Sequence, residues 1–210
     1  MMLEGGHIGG LEIRKSASGA LAMRGRFPYD KRAVLSDGGK NGRPKKEVIA
    51  PGAFSYRIDD PDEDIHFLVA HDYDRPLASR GTGTLILADS KIALTFEATI
   101  TPEMQEVSYV KDFLATFGAG LMMGLSPGFR IPPPRTVPDA EKVEEEDPSE
   151  GTALIRTIYA ALLYELSAVV VPAYKEAQIE ARSWSLTNGG VILPDAPDTG
   201  LHRTLNRWRA

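Results

Sequence analysis

The stretch Lys91-Ile92-Ala93-Leu94-Thr95-Phe96-Glu97-Ala98-Thr99-Ile100 decides the fold class. Leu94, Phe96, Ala98 and Ile100 alternate with Thr95, Glu97 and Thr99. That period of two places the apolar set on one face of a strand. Residues 83–88 precede it as a partner strand, with the turn expected at Ala88-Asp89-Ser90. Directly afterwards the period changes. Thr101 is an N-cap by type, Pro102 suits a first helical turn, and Glu103 complements the helix dipole. Val107, Val110, Leu114 and Phe117 then share one helical face, and Gly118 is the expected stop.

Outward from this hairpin and helix the pattern stays β-rich. Leu11-Glu12-Ile13-Arg14 and residues 20–27 read as short strands. The polar stretch 31–46, with Gly38-Gly39 and Asn41-Gly42, reads as a surface loop. Glu47-Val48-Ile49-Ala50-Pro51-Gly52-Ala53-Phe54 returns the chain to the fold, with a short helix expected over 53–58. An acidic loop, 59–64, leads to a strand over 65–70 with His71 at its end. Residues 121–130 form another strand, in which Pro127 is expected to end regular pairing. Residues 131–151, Pro-rich and then acidic, are expected to be a mobile loop with too little apolar area to order itself. Residues 156–171 read as one long β-like run, and 174–182 as a second helix. Residues 1–182 would be one domain and 183–210 a poorly ordered C-terminal tail. Strands joined by hairpins and single helices, without regular βαβ alternation, argue against a doubly wound parallel sheet. The expected class is α+β, mainly β: an antiparallel sheet or closed barrel with a few flanking helices.

Composition narrows the chemistry. The 210 residues are 42% hydrophobic, enough for one sizeable core. A net charge of -5 without clustered Lys and Arg argues against a nucleic-acid or anionic-membrane surface. The chain has no cysteine, which removes disulfides, thiolate metal sites and thiol nucleophiles. No secretory-type leader and no apolar run near 20 residues is present, so a soluble intracellular protein is expected.

Three segments place a residue of catalytic type in apolar or Gly-containing surroundings: Leu68-Val69-Ala70-His71-Asp72, Gly124-Leu125-Ser126-Pro127-Gly128-Phe129, and Leu163-Tyr164-Glu165-Leu166-Ser167-Ala168. They supply a candidate base, nucleophile and acid in His71, Ser126 and Glu165. A serine hydroxyl is a poor nucleophile unless an imidazole takes its proton and a third group holds that imidazole. Glu165 is telling on physical grounds. It lies among Ala161, Leu162, Leu163, Leu166 and Val169, and a buried carboxylate is costly unless paired. Alternation puts Leu163, Glu165 and Ser167 on one face, which makes Ser167 a candidate hydrogen-bond donor.

In their order, these segments resemble the HK97-type phage prohead proteases, capsid-maturation serine peptidases distantly similar in fold to herpesvirus assemblins. The resemblance runs over residues 24–182. It also takes in the entry Val48-Ile49-Ala50-Pro51-Gly52-Ala53-Phe54, the run Arg75-Pro76-Leu77-Ala78, and Val169-Val170-Val171-Pro172-Ala173. It implies a β-barrel core and a cofactor-free Ser-His-Glu triad, with His71 as general base, Ser126 as nucleophile and Glu165 orienting His71. The implied substrates and partners are scaffold protein, the scaffolding segment of the major capsid protein, and the protease itself as a self-associating oligomer. The implied place is the bacterial cytoplasm, inside the assembling prohead, with self-trimming beyond Arg182. One departure stands out. Pro127 has no N–H, so an oxyanion hole cannot use the amide after the serine.

Each residue also has a plainer reading. Ser126 between two glycines fits a tight strand end where only small side chains pack. His66 is a rival base, and Asp72 and Asp74 are fallback third members. His66, His71, Asp72 and Asp74 together would suit a metal-binding β module. The same fold could also serve as an inactive scaffold, because a fold alone confers no activity.

Overall fold

The structure is a computed structural model that describes residues 12–15 and 19–172. In chain order its elements begin with β1 (Glu12–Lys15), β2 (Leu21–Pro28), β3 (Ala33–Ser36), β4 (Lys45–Ile49) and α1 (Ser55–Asp59). Then come β5 (His66–Val69), β6 (Asp72–Ser79), β7 (Leu85–Asp89), β8 (Ala93–Ile100), α2 (Pro102–Gln105) and α3 (Ser108–Gly118). The last are β9 (Gly124–Arg130), β10 (Glu141–Glu145), β11 (Leu154–Ile158) and β12 (Leu162–Val169). No helix among the described residues is long and apolar enough to cross a membrane.

The mainly-β, antiparallel-rich class expected from the sequence is borne out. Among the described residues the strands hydrogen-bond as three four-stranded sheets around one core, not as one continuous ring: β1-β2-β8-β7, β10-β11-β4-β3 and β6-β5-β12-β9. The alternating stretch is β8, and Leu94, Phe96, Ala98 and Ile100 are all buried. Its turn lies two positions later than expected, at residues 90–92, because Asp89 still pairs with Leu94.

Two parallel pairings set the architecture. β11 runs beside β4 and β12 beside β5. The expected single run over 156–171 is therefore corrected to two strands in different sheets. Between them Tyr159 and Ala160 both donate to the Ala140 carbonyl, and Ala161 donates to the Ala53 carbonyl at 2.7 Å. The β4-α1-β5 segment and the β11-β12 segment thus turn the corner from the second sheet to the third together. A second seam joins the third sheet to the first. Thr84 donates to the Ser79 carbonyl at 3.1 Å, and Thr99 donates to the Thr84 carbonyl at 2.7 Å.

Aromatic rings fill the space between sheets. Phe54, fully buried, meets Phe27 of β2 at 6.1 Å, Tyr29 at 6.2 Å and Phe129 of β9 at 5.6 Å. Phe67 of β5 lies against Phe96 of β8 at 4.8 Å. Such ring pairs add about 0.5–1.5 kcal/mol each beyond the area they bury.

Several local expectations change. The helix after Thr101 is two helices, because Val107 is extended (ψ 136) and caps α3. Thr101 does cap α2, accepting from the Met104 N–H. Gly118 continues α3, and the stop is Gly120 at φ 74. Its N–H bonds the Phe117 carbonyl and that of Leu121 bonds Thr116, the pairing of a Schellman motif. Residues 31–46 hold β3 as well as a loop. Residues 131–151 are not structureless: β10 forms within them, with Val143 and Glu146 buried. Pro127 does not end pairing, since β9 runs on to Arg130 along the edge of its sheet, where a missing N–H is tolerated. The helix expected over 174–182, the tail 183–210 and the domain limits lie outside the described residues.

Candidate active site

His71 owes its position to a two-residue turn. β5 ends at Val69, β6 begins at Asp72, and those two residues pair. Ala70 and His71 bridge them with φ of 54 and 59, the positive values a type I′ turn demands at both central positions. Neither is glycine, so each costs about 1–2 kcal/mol of backbone strain. Two hydrogen bonds from β12 hold the turn. Ala70 N–H donates to the Ala168 carbonyl at 2.9 Å, and His71 N–H donates to Ser167 Oγ at 3.0 Å.

Glu165 sits mid-strand on β12, 3% exposed. Burial of a carboxylate demands partners, and each oxygen has one. Oε1 lies 2.6 Å from His71 Nδ1, and Oε2 accepts from Ser167 Oγ at 2.6 Å. Space for the carboxylate comes from Gly128, opposite Glu165 on β9. A Cβ there would lie 1.8 Å from Oε1. The side chain of His71 is 21% exposed. With Nδ1 engaged by the carboxylate, Nε2 is the nitrogen left for chemistry.

Ser126 lies on β9 directly across from Ser167. Its Oγ is buried and makes no hydrogen bond. The structure therefore joins His71 to Glu165 and places Ser126 on the neighbouring strand, one Cα pair from the serine that binds both. Sequence reasoning anticipated the facing position of Ser167 but missed Gly128. The available signal was that Gly128, two residues from Ser126, shares its strand face.

The rival groups are engaged elsewhere. His66 lies 3.8 Å from Asp64 and packs edge-on against Tyr73. Asp72 caps the Asp74 N–H and faces Arg75. Among the described residues, no three His, Asp or Glu side chains gather into a set able to hold a metal ion. Around the carboxylate, Arg57 stacks over Tyr164 at 4.3 Å, and Arg130 lies 5.7 Å from the same ring. Burial raises the Tyr73 phenol pKa first, and the negative charge of Glu165 adds to that, while Arg57 and Arg130 oppose it. A surface cavity lined by Val48, Ile155, Thr157 and Tyr159 lies on the second sheet and includes none of the three candidates.

A histidine held by a buried carboxylate, with a serine on the strand paired to that of the carboxylate, supplies the residue types a serine hydrolase uses. Comparison with known families agrees. The family of caudovirus prohead serine proteases matches residues 35–190, a span that contains all three candidates, and the chain belongs to that family. It is a serine peptidase of phage capsid maturation, hydrolysing peptide bonds. No curated protein and no solved structure matches the chain.

Proposed function

We propose that peptide hydrolysis in this chain runs through Ser126, His71 and Glu165. Ser126 Oγ attacks the scissile carbonyl carbon while its proton passes to His71 Nε2. Glu165 keeps the Nδ1–H tautomer and stabilises the imidazolium that forms. The proton then goes to the leaving amine, the C–N bond breaks, and an acyl-enzyme remains. Water, deprotonated by the same histidine, releases the acid and restores Ser126. The oxyanion donors are N–H groups other than that of residue 127, because proline has none. The supporting observation is the 2.6 Å contact between His71 and the buried Glu165 carboxylate. Because Ser126 Oγ is buried, a peptide reaches it only after a local opening of the side chains that cover it.

The substrates that fit a prohead protease are scaffold protein, the scaffolding segment of the major capsid protein, and this chain beyond Arg182. The setting is the bacterial cytoplasm within the assembling prohead, where co-assembly raises the local concentration of cleavage sites. Self-association, as a dimer or larger assembly, belongs to the same reading. The test is the intact mass of full-length wild type beside Ser126→Ala, followed over days with purified scaffold and capsid protein present. Shortening of the wild type alone supports the reading. Equal shortening of both, or none in either, counts against Ser126 as nucleophile.

A further inference from the structure

The serine most closely tied to the candidate acid and base is Ser167, not the candidate nucleophile. It is fully buried. Its Oγ donates to Glu165 Oε2 at 2.6 Å and accepts the backbone N–H of His71 at 3.0 Å. Ser167 also stands opposite Ser126 in the β9–β12 register. A hydroxyl carries one proton and two lone pairs. The proton of Ser167 is committed to the carboxylate, and one lone pair to the strained turn that carries His71.

We infer that Ser167 is a positioning residue that sets the candidate triad through two contacts. This rests on the proposed roles of His71, Ser126 and Glu165. The first contact orients the carboxylate. With Oε2 engaged by Ser167, Oε1 is the oxygen presented to Nδ1, so the imidazole is held in one tautomer and one plane. The second contact pins the backbone of His71 at φ 59, a conformation that a non-glycine residue keeps only when its surroundings enforce it. The two act together, since a shift of the turn would carry the imidazole away from Oε1.

The arrangement also separates the roles of two adjacent serines. Ser167 cannot donate its proton to Ser126 while it donates to Glu165. Ser126 Oγ makes no hydrogen bond, so neither its proton nor its lone pairs are taken up by Ser167. An alanine at 167 would leave Oε2 and the His71 N–H without their partner in a buried site.

The experiment measures the second-order rate at which a fluorophosphonate labels the full-length chain, with the labelled residue located by mass spectrometry. Ser167→Ala is expected to slow labelling by about 100-fold, the scale of a misplacement of about 1 Å in a catalytic group. Ser167→Thr, which restores the hydroxyl, should recover at least a tenfold share of that loss, and Ser167→Cys, a poor hydrogen-bonding isostere, should not. The double variant Glu165→Gln/Ser167→Ala should lose clearly less than the product of the two single losses, because one of the two contacts of Ser167 acts through Glu165. A purely structural role predicts the opposite: losses that follow the melting temperatures of the variants and multiply in the double variant. Wild-type labelling in Ser167→Ala, or full multiplication in the double variant, would overturn the inference. The Ser126→Ala control separates this from the reading beneath it. If Ser126→Ala still labels at the wild-type rate, the proposed nucleophile is wrong. If Ser126→Ala is silent and Ser167→Ala is normal, the role of Ser167 alone fails.

Discussion

Glu165 shows how much a single residue can disclose. A carboxylate in an apolar strand needs a partner, because burying it unpaired costs several kcal/mol. That need is readable in the sequence, whereas the identity of the partner is not, since His71 lies 94 positions away. Gly128 is the reverse case. The sequence shows that it shares a strand face with Ser126, but not that Glu165 will lie opposite it. In the structure, a Cβ at that position would lie 1.8 Å from Glu165 Oε1. Gly128→Ala should therefore push the carboxylate off His71 and lower kcat/KM by about 10- to 100-fold. Peptide cleavage or fluorophosphonate labelling would measure this, and a wild-type rate would mean that the carboxylate relocates without consequence.

At the scale of elements, strain and charge mark the pieces that hold the site. The Ala70–His71 turn has positive φ at both positions, and Ala70 is exposed. Ala70→Gly removes the steric cost at one of them. It should leave stability unchanged or raise it by about 1 kcal/mol, the αL penalty less the added chain entropy. Urea unfolding would check this, and a loss above about 1 kcal/mol would show that the alanine is not strained. β10 makes a different point. Its acidic sequence reads as loop, yet Val143 points inward and Glu146, just beyond the strand, is gripped by Lys46 and by the Ala153 N–H. Those contacts, Lys46 first, hold the Glu146 pKa below its ordinary value of 4.5. A carboxylate depressed by folding adds stability that is complete above its unfolded pKa and lost as pH falls through its folded one. Wild type should therefore lose more stability than Glu146→Gln on acidification from neutral pH to below 4.5. Chemical denaturation of both at neutral and acidic pH tests this, and parallel curves would remove Glu146 from the acid response.

Across the whole molecule, stability converges on the ring cluster at Phe54. This residue meets Phe27 of the first sheet and Phe129 of the third, next to the corner where β4 turns through α1 into β5. Phe54→Ala should cost about 3–5 kcal/mol, the range for emptying a buried aromatic site. That is a large part of the about 5–15 kcal/mol that holds an ordinary domain folded. Phe54→Leu, which keeps most of the volume, should cost less than half as much. Denaturant midpoints of the two variants would rank them. Near-equal losses would mean that the cluster depends on ring geometry rather than on filled space.

The β-rich class, the hairpin of β7 and β8, the cap at Thr101 and the need of Glu165 for a partner were readable along the chain, whereas Ser126 and His71 stood out only through the family resemblance. Each of the readable features rests on a local signal: a period of two, a capping side chain, or a charged residue in apolar surroundings. Other features arose only in the folded chain. These are the division of residues 156–171 between two sheets, the ordering of β10, the room that Gly128 makes, and the placement of Ser167 between Glu165 and His71. The reason is the pairing of distant strands. β11 lies parallel to β4 and β12 parallel to β5, so contacts across them join residues about a hundred positions apart. A local period records which face a residue occupies. It carries no record of which strand will lie against that face, and only the closing of the three sheets on their common core decides that.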